Sequence, residues 1–272
     1  MTETLVSPKN PLLKEIRRAS SQGTLTADGY ALAEGFHLLD DALASHVEIG
    51  AVIGSESARA ELADRFSRLE QTRLIAIPDA VFAGLSTTEH PQGVMTLVRP
   101  PAHTLDEVFA GTALAIVLDG LQDPGNAGAV VRSAEAFGAT GVVFLKGSVN
   151  PYNPKCLRGS AGSIFRVPIA SGVDEQELFD AATRHGAALL ATGPRAALAI
   201  NQADLVRPCA IVIGGEAKGV RESIASRATP VRIPTHRVES LNAAVACAVL
   251  LYEASRCRAG SQPAAGSQPA RS

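Results

Sequence analysis

Five polar side chains in and just after three polar loops, two of them glycine-bearing, have the types and spacing for chemistry. Asp119-Gly-Leu-Gln-Asp-Pro-Gly-Asn126 leads into a segment of small apolar residues that carries a single guanidinium, Arg132. A helix face turned to solvent would carry several charges, so a lone Arg132 among Ala127, Ala129, Val130, Val131, Ala134 and Ala136 reads as a functional cation. Pro124-Gly125 makes a turn, and Asn126 has the side chain of a helix N-cap. The second loop, Ile213-Gly214-Gly215-Glu216-Ala-Lys-Gly219, holds a carboxylate that can orient an amide, a hydroxyl or a guanidinium, on glycines that allow close backbone approach to a ligand. A simple turn with a solvated Glu216 is the plainer alternative. The third loop ends in Ser240-Leu241-Asn242, where Ser240 is the expected N-cap and Asn242, a poor helix former, has no evident structural purpose.

These loops exclude two familiar phosphate sites. Gly-Gly-Glu-Ala-Lys-Gly lacks the Gly-Lys-Ser/Thr of a P-loop, and no strand is followed by G-x-G-x-x-G, so a nucleotide-dependent oxidoreductase on a plain doubly wound sheet is disfavoured. Residues 124–170 carry Arg132, Lys146, Lys155, Arg158 and Arg166 against Glu135 alone, a local excess of +4 that could attract phosphate or equally be scattered solvated charge.

Each loop follows an apolar run that reads as a strand. In the second half these runs are Ala113–Leu118, Val142–Leu145, Ala187–Ala191, Ala210–Ile213 and Val231–Ile233, with helices over Ala127–Phe137 and from Leu241 to about Cys257. This alternation predicts an α/β domain with a mainly parallel sheet, helices on both faces, and ligand sites at the carboxyl ends of the strands. The first half reads as a smaller α/β sandwich, with a helix over Pro11–Ala19, helical spacing at Leu38, Leu39, Ala42 and Leu43, a helix over Ala58–Leu69, and strands at Val47–Ile53, Leu74–Ile77 and Val94–Val98. Pro100-Pro101 marks the join, giving domains at 1–101 and 111–258 with an extended linker at 102–110. A doubled Ala-Gly-Ser-Gln-Pro-Ala closes the chain, and 259–272 is expected to be a disordered low-complexity tail.

Composition narrows the class further. The 272 residues are 46% hydrophobic and 19% charged, the range of globular chains. A formal net charge of −2 argues against coating nucleic acid by bulk charge, so any polyanion site must be local. Residues 1–101 hold 9 basic and 13 acidic side chains, and the remainder is net positive. No apolar run approaches the ~20 residues of a spanning helix, and the N-terminus has no basic head before an apolar stretch, so a cytoplasmic, non-membrane protein is expected. Cys156, Cys209, Cys247 and Cys257 lie far apart with no C-x-x-C, which suggests buried thiols and neither a disulfide framework nor a metal site.

The three loops, in this order and near the C-terminus, resemble the three motifs of the SpoU/TrmH family of RNA ribose 2′-O-methyltransferases, in the SPOUT superfamily. Arg158-Gly-Ser-Ala-Gly-Ser-Ile-Phe-Arg-Val-Pro168 resembles a further family segment, with Gly159 a modest departure. Asn10-Pro11-Leu-Leu-Lys14, Glu34-Gly35 and Pro91-Gln92-Gly93 resemble its ribosomal-protein-like substrate-binding domain. The resemblance implies an S-adenosylmethionine-dependent enzyme, a deep trefoil knot and a homodimer. It implies a cofactor held around Thr192, Gly193, Ile213, Gly214, Gly215, Ile233 and Leu241, and a reacting site of Asn126, Arg132, Glu216, Ser240 and Asn242. Arg132 is the family's proposed base. An arginine side chain scarcely deprotonates in proteins, so a buried guanidinium that stabilises the incipient alkoxide and grips a phosphate is the role expected here. Lys9, Lys14, Arg17, Arg18 and Arg158 are the expected RNA contacts. Ribosomal RNA is the expected substrate, with transfer RNA, or a non-catalytic RNA-binding protein of the same fold, as alternatives.

Overall fold

The computed structural model describes residues 2–5, 7, 9–65, 69 and 72–261. In its second half, β6 (Leu114–Asp119), β7 (Gly141–Leu145), β8 (Ile169–Val173), β9 (Ala188–Thr192), β10 (Leu198–Ala199), β11 (Cys209–Gly214) and β12 (Thr229–Arg232) form one sheet in the order β10-β12-β9-β11-β6-β7-β8. Every recorded pairing in it is parallel. Both faces are covered, which is why these strands read as continuous apolar runs. Leu114, Ile116 and Leu118 of β6 enter the core on one face, and Ala115 and Val117 enter the core on the other. The first face is packed by α6 (Pro124–Ala136), α7 (Pro154–Ser160) and α10 (Ala243–Ser261), the second by α5 (Leu105–Val108), α8 (Glu175–Arg184) and α9 (Glu222–Ala225).

The first half builds a five-stranded mixed sheet from β1 (Thr2–Thr4), β2 (Ala31–Glu34), β3 (Ile49–Ser55), β4 (Leu74–Ile77) and β5 (Val94–Val98), ordered β1-β4-β3-β5-β2. Its first helix, α1 (Pro11–Gln22), is set by local chemistry: the Asn10 side chain accepts from Leu12 N–H, Pro11 opens the helix, and Gly23 closes it at φ 63°. The remaining helices here are α2 (Phe36–Ala44), α3 (Arg59–Ala63) and α4 (Asp79–Ala83).

Several elements differ from the sequence expectation. Residues 102–110 are not an extended linker: Thr104 and Glu107 form a reciprocal capping box on α5, and Val108 and Phe109 are fully buried in the second sheet's core. The two halves share one apolar cluster, in which Ala31, Ala33, Leu38, Ala42 and Val98 meet Leu114 and Phe144. Helix α10 runs on to Ser261, so residues 259–261 are helical, and the rest of the expected tail lies outside the described residues. The helix expected over Ala58–Leu69 covers only Arg59–Ala63, with residues 66–68 outside the described set. Strands β1, β2, β8 and β10 and helices α4, α7, α8 and α9 were not anticipated.

Three of the four cysteines are buried and Cys257 is half-buried. Burial pushes the Cys156 thiol up to about 12, which keeps it protonated and unreactive.

Candidate active site

The loops leave the carboxyl ends of β6, β9, β11 and β12, where the open edges of a parallel sheet accept ligands. The first is held down by its own polar groups. Ser148 Oγ accepts from Gly120 N–H at 2.9 Å and donates to the carbonyl of Leu118 at 2.8 Å. Gln122 Nε2 donates to the carbonyl of Gly147 at 2.5 Å. The cap of α6 is Asp123 and not Asn126: the Asp123 carboxylate accepts from Asn126 N–H at 2.6 Å, and the helix starts at Pro124. Such a cap is worth about 1 kcal/mol, and its use here frees the Asn126 side chain to point elsewhere.

Asn126 Nδ2 donates to Glu216 Oε1 at 2.6 Å. Its Oδ1 accepts from Asn242 Nδ2 at 3.0 Å. Asn242 in turn is the cap of α10, its Oδ1 accepting from Ala244 N–H at 2.9 Å and Val245 N–H at 3.3 Å. Ser240, expected to cap, lies exposed two residues before the helix cap. The polarity of the chain is forced. The Asn242 oxygen is committed to backbone amides, so only its amide nitrogen remains for Asn126, which must then turn its own nitrogen to the carboxylate. Two side-chain hydrogen bonds thus join three loops that lie 90 and 116 residues apart in sequence.

Beside this relay is a cavity of about 410 Å³. Thr192, Gly193, Ile213, Gly214, Gly215, Ile233 and Leu241, all seven residues expected around a cofactor, line it, together with Glu216 and Ser240. The sequence reading missed Pro194, Lys218, Thr235 and Glu239 on the same wall, for which loop composition carries no signal. The glycines have a different purpose from the one expected. A Cβ on Gly214 would lie 2.0 Å from Gly219 C, and one on Gly215 would lie 2.6 Å from the Gly120 carbonyl oxygen. They permit backbone to meet backbone as the turn folds onto itself, with no ligand needed to explain them. At Gly193 a Cβ would meet nothing within 4 Å, so there the wall of the cavity is open.

Arg132 lies on α6 beyond this relay, exposed and with no hydrogen bond or ion pair among the described residues, so it is not the buried guanidinium expected. The basic excess around it is largely neutralised by residues distant in sequence. Arg166 is bound to Glu135 at 2.5 Å and Asp41 at 3.2 Å, and holds the Glu135 carboxyl below its ordinary range. Lys146 meets Asp174 at 3.2 Å. Arg158, expected on RNA, is 2.8 Å from Thr87 Oγ1 and 3.7 Å from the buried Glu34, tying α7 to the first sheet. Of the expected RNA contacts on α1, Arg18 is held bidentately by Glu15 and Arg17 reaches the carbonyl of Gly84, whereas Lys14 is exposed with no side-chain bond among the described residues. Lys9, just before the helix, is likewise exposed. No group of His, Cys, Asp and Glu among the described residues has the arrangement to hold a metal.

The SpoU rRNA methylase family matches residues 113–252, slightly more than half of the sequence. The chain belongs to that family. An MRM3-like substrate binding domain matches residues 10–96. An uncharacterized tRNA/rRNA methyltransferase of Synechocystis is 33% identical over 93% of both chains. The 23S rRNA (guanosine(2553)-2′-O)-methyltransferase RlmP of Bacillus subtilis is 28% identical over 90% of this chain and 96% of its own. The SpoU methyltransferase AviRb of Streptomyces viridochromogenes, solved in complex with AdoMet, superposes with a TM-score of 0.82 at 26% identity over 93% of this chain and 100% of that one. S-adenosylmethionine is the cofactor of this SpoU chain. The residues present fit it: the cavity has the volume of a small-molecule site, apolar side chains for an adenine, and loop backbone for polar contacts.

Proposed function

We propose that this chain transfers a methyl group to a ribose 2′-hydroxyl of ribosomal RNA, at the mouth of the cavity beside Asn126, Glu216 and Asn242. One observation carries the assignment: the Asn242–Asn126–Glu216 relay joins all three motif loops, and its Glu216 end lines a cavity of cofactor size. When bound, S-adenosylmethionine supplies an electrophilic methyl on a sulfonium. In-line displacement rewards alignment above all, and a polar relay that joins the three loops supplies it. Thr192, Gly193, Ile213, Gly214, Gly215, Ile233 and Leu241 hold the cofactor, Ser240 and Asn242 orient the loop before α10, and Arg132 stabilises the negative charge that grows on the 2′-oxygen. Lys9 and Lys14 follow the RNA backbone, Arg17, Arg18 and Arg158 having less freedom to do so because their side chains are engaged. The substrate places the enzyme in the cytoplasm, and no helix of the described residues is long and apolar enough to cross a membrane.

The division at 1–101 and 111–258 is kept in this reading, with α5 as part of the second unit. A trefoil knot is supported by the path of the chain. After β12, beyond β9 at the far side of the sheet, residues 233–242 return across the ends of β9 and β11 to bring Asn242 to Asn126. A homodimer is supported by α10, whose Val245, Val249 and Tyr252 share one helix face and are 51%, 38% and 58% exposed. Tyr252 also packs edge-on against Phe137 at the end of α6, so a second copy seated here comes close to the helix of Arg132. Val245→Asp places an acid at a helix N-terminus, where the helix dipole tolerates it, but puts charge on the interface. The variant is expected to sediment as a monomer and the parent chain as a dimer; a monomeric parent removes the dimer.

The activity is tested by incubating the protein with total RNA and methyl-labelled S-adenosylmethionine, then mapping the label. Label on ribose of ribosomal RNA, at one alkali-resistant linkage, is the expected result. Label on a base, label confined to transfer RNA, or no label overturns the assignment.

A further inference from the structure

The turn that carries Glu216 is bolted to the sheet by an ion pair outside the residues assigned above. Arg221 Nε donates to Asp119 Oδ1 at 2.5 Å, and the backbone N–H of Arg221 donates to Asp119 Oδ2 at 2.7 Å. One terminal nitrogen of the same guanidinium donates to Glu175 Oε1 at 2.8 Å, the other to the carbonyl of Lys146 at 2.8 Å. The Asp119 side chain is 1% exposed. A carboxylate this buried needs its partners, because removing them leaves an uncompensated charge in the interior.

The placement of the pair gives it a second consequence. Asp119 is the last residue of β6 and opens the loop that ends in Asn126. Its backbone carbonyl also accepts from Gly215 N–H at 2.9 Å, at the entrance of the second loop. Arg221 stands two residues past Gly219, which closes that loop by donating to the carbonyl of Gly215 at 2.9 Å. Entrance and exit of the Glu216 turn are therefore both fastened to one residue, Asp119, which also begins the Asn126 loop. A guanidinium does this because its planar fork reaches three acceptors in fixed directions, on Asp119, Glu175 and Lys146, which an ammonium does not.

We propose that Arg221 is a positioning residue for methyl transfer, which through Asp119 sets the distance between Glu216 and Asn126 and so holds the relay closed. This rests on the reading of Asn126 and Glu216 as part of the reacting site. The test is a double-mutant cycle on the full chain with Arg221→Lys, Glu216→Gln and both together, measuring kcat, the dissociation constant of S-adenosylmethionine and Tm. Arg221→Lys keeps a cation beside Asp119, so the fold is retained while the fork is lost. Its expected cost is on the order of 100-fold in kcat, the scale of a misplacement of about 1 Å. On the Glu216→Gln background the same change is expected to cost less than about 3-fold, because two members of one device do not add. A full additive loss, a loss that follows Tm alone, or no loss in the single Arg221→Lys variant overturns the proposal. Wild-type kcat in Glu216→Gln overturns instead the reading of the site.

Discussion

Arg132→Lys is expected to lower kcat by about 100-fold and Arg132→Ala by about 1000-fold, the scale of losing a charged donor to a developing oxyanion, with Tm unchanged. The stability half of this expectation follows from the structure. Arg132 is exposed on α6 and makes no hydrogen bond or ion pair among the described residues, so nothing in the fold is lost with it. Lysine and alanine are as good as arginine, or better, in a helix interior. The rate half follows from chemistry. A ribose hydroxyl is a weak acid, and its oxygen gains negative charge as the methyl bond forms. A guanidinium offers parallel donors to that oxygen and to a neighbouring phosphate, whereas an ammonium supplies charge without the fork. Near-normal turnover in Arg132→Lys would show that point charge suffices. A fall in Tm matching the fall in rate would show that the side chain supports the fold.

Asn126→Asp is expected to cost on the order of 100-fold in kcat at neutral pH and to recover part of that loss in acid. Asn126 donates to Glu216 at 2.6 Å, and the substitution replaces that donor with an oxygen. Two carboxylates at this distance cannot both ionise cheaply, so the pair titrates with one pKa raised. Below that raised pKa a shared proton restores a hydrogen bond and the two loops close; above it they repel and the relay opens. The bond from Asn242 survives, since the new side chain still accepts, so the effect isolates the Glu216 contact. Asn126→Ala removes both bonds and has no such recovery. The measurement is kcat against pH for the parent and both variants. A flat ratio of Asn126→Asp to parent across the acid range would remove the hydrogen bond from the mechanism.

The elements that the sequence predicted best are the continuously apolar strands. The Leu74–Ile77 and Val94–Val98 runs coincide with β4 and β5, and those at β6 and β11 are within one residue; β5, β6 and β11 are buried on both faces, and a strand so covered is apolar throughout. Strand β8 escaped notice because Ser171 and Gly172 interrupt its apolar pattern, and β10 because two residues carry no period. At both helix starts in the site the wrong capping residue was expected. Asp123 and Asn126 are both good caps, three residues apart, as are Ser240 and Asn242, two apart, and local propensity does not choose between them.

The order of the three loops, the residue types in them and the end of the sheet they share were determined by the primary chain, because each follows an apolar strand whose end must face the same side of a parallel sheet; seven residues of the cavity wall came from the family resemblance. Only the tertiary structure decided what those side chains do. Asn242 both caps α10 and holds Asn126, and Gly214 and Gly215 make room for backbone. Three cations of the basic cluster, Lys146, Arg158 and Arg166, are met by Asp174, Glu34 and Asp41, and Arg221 fastens two loops through Asp119. Hydrogen bonds and ion pairs act over about 3 Å in space whatever the separation along the chain, so their partners are set by folding and not by neighbourhood in sequence.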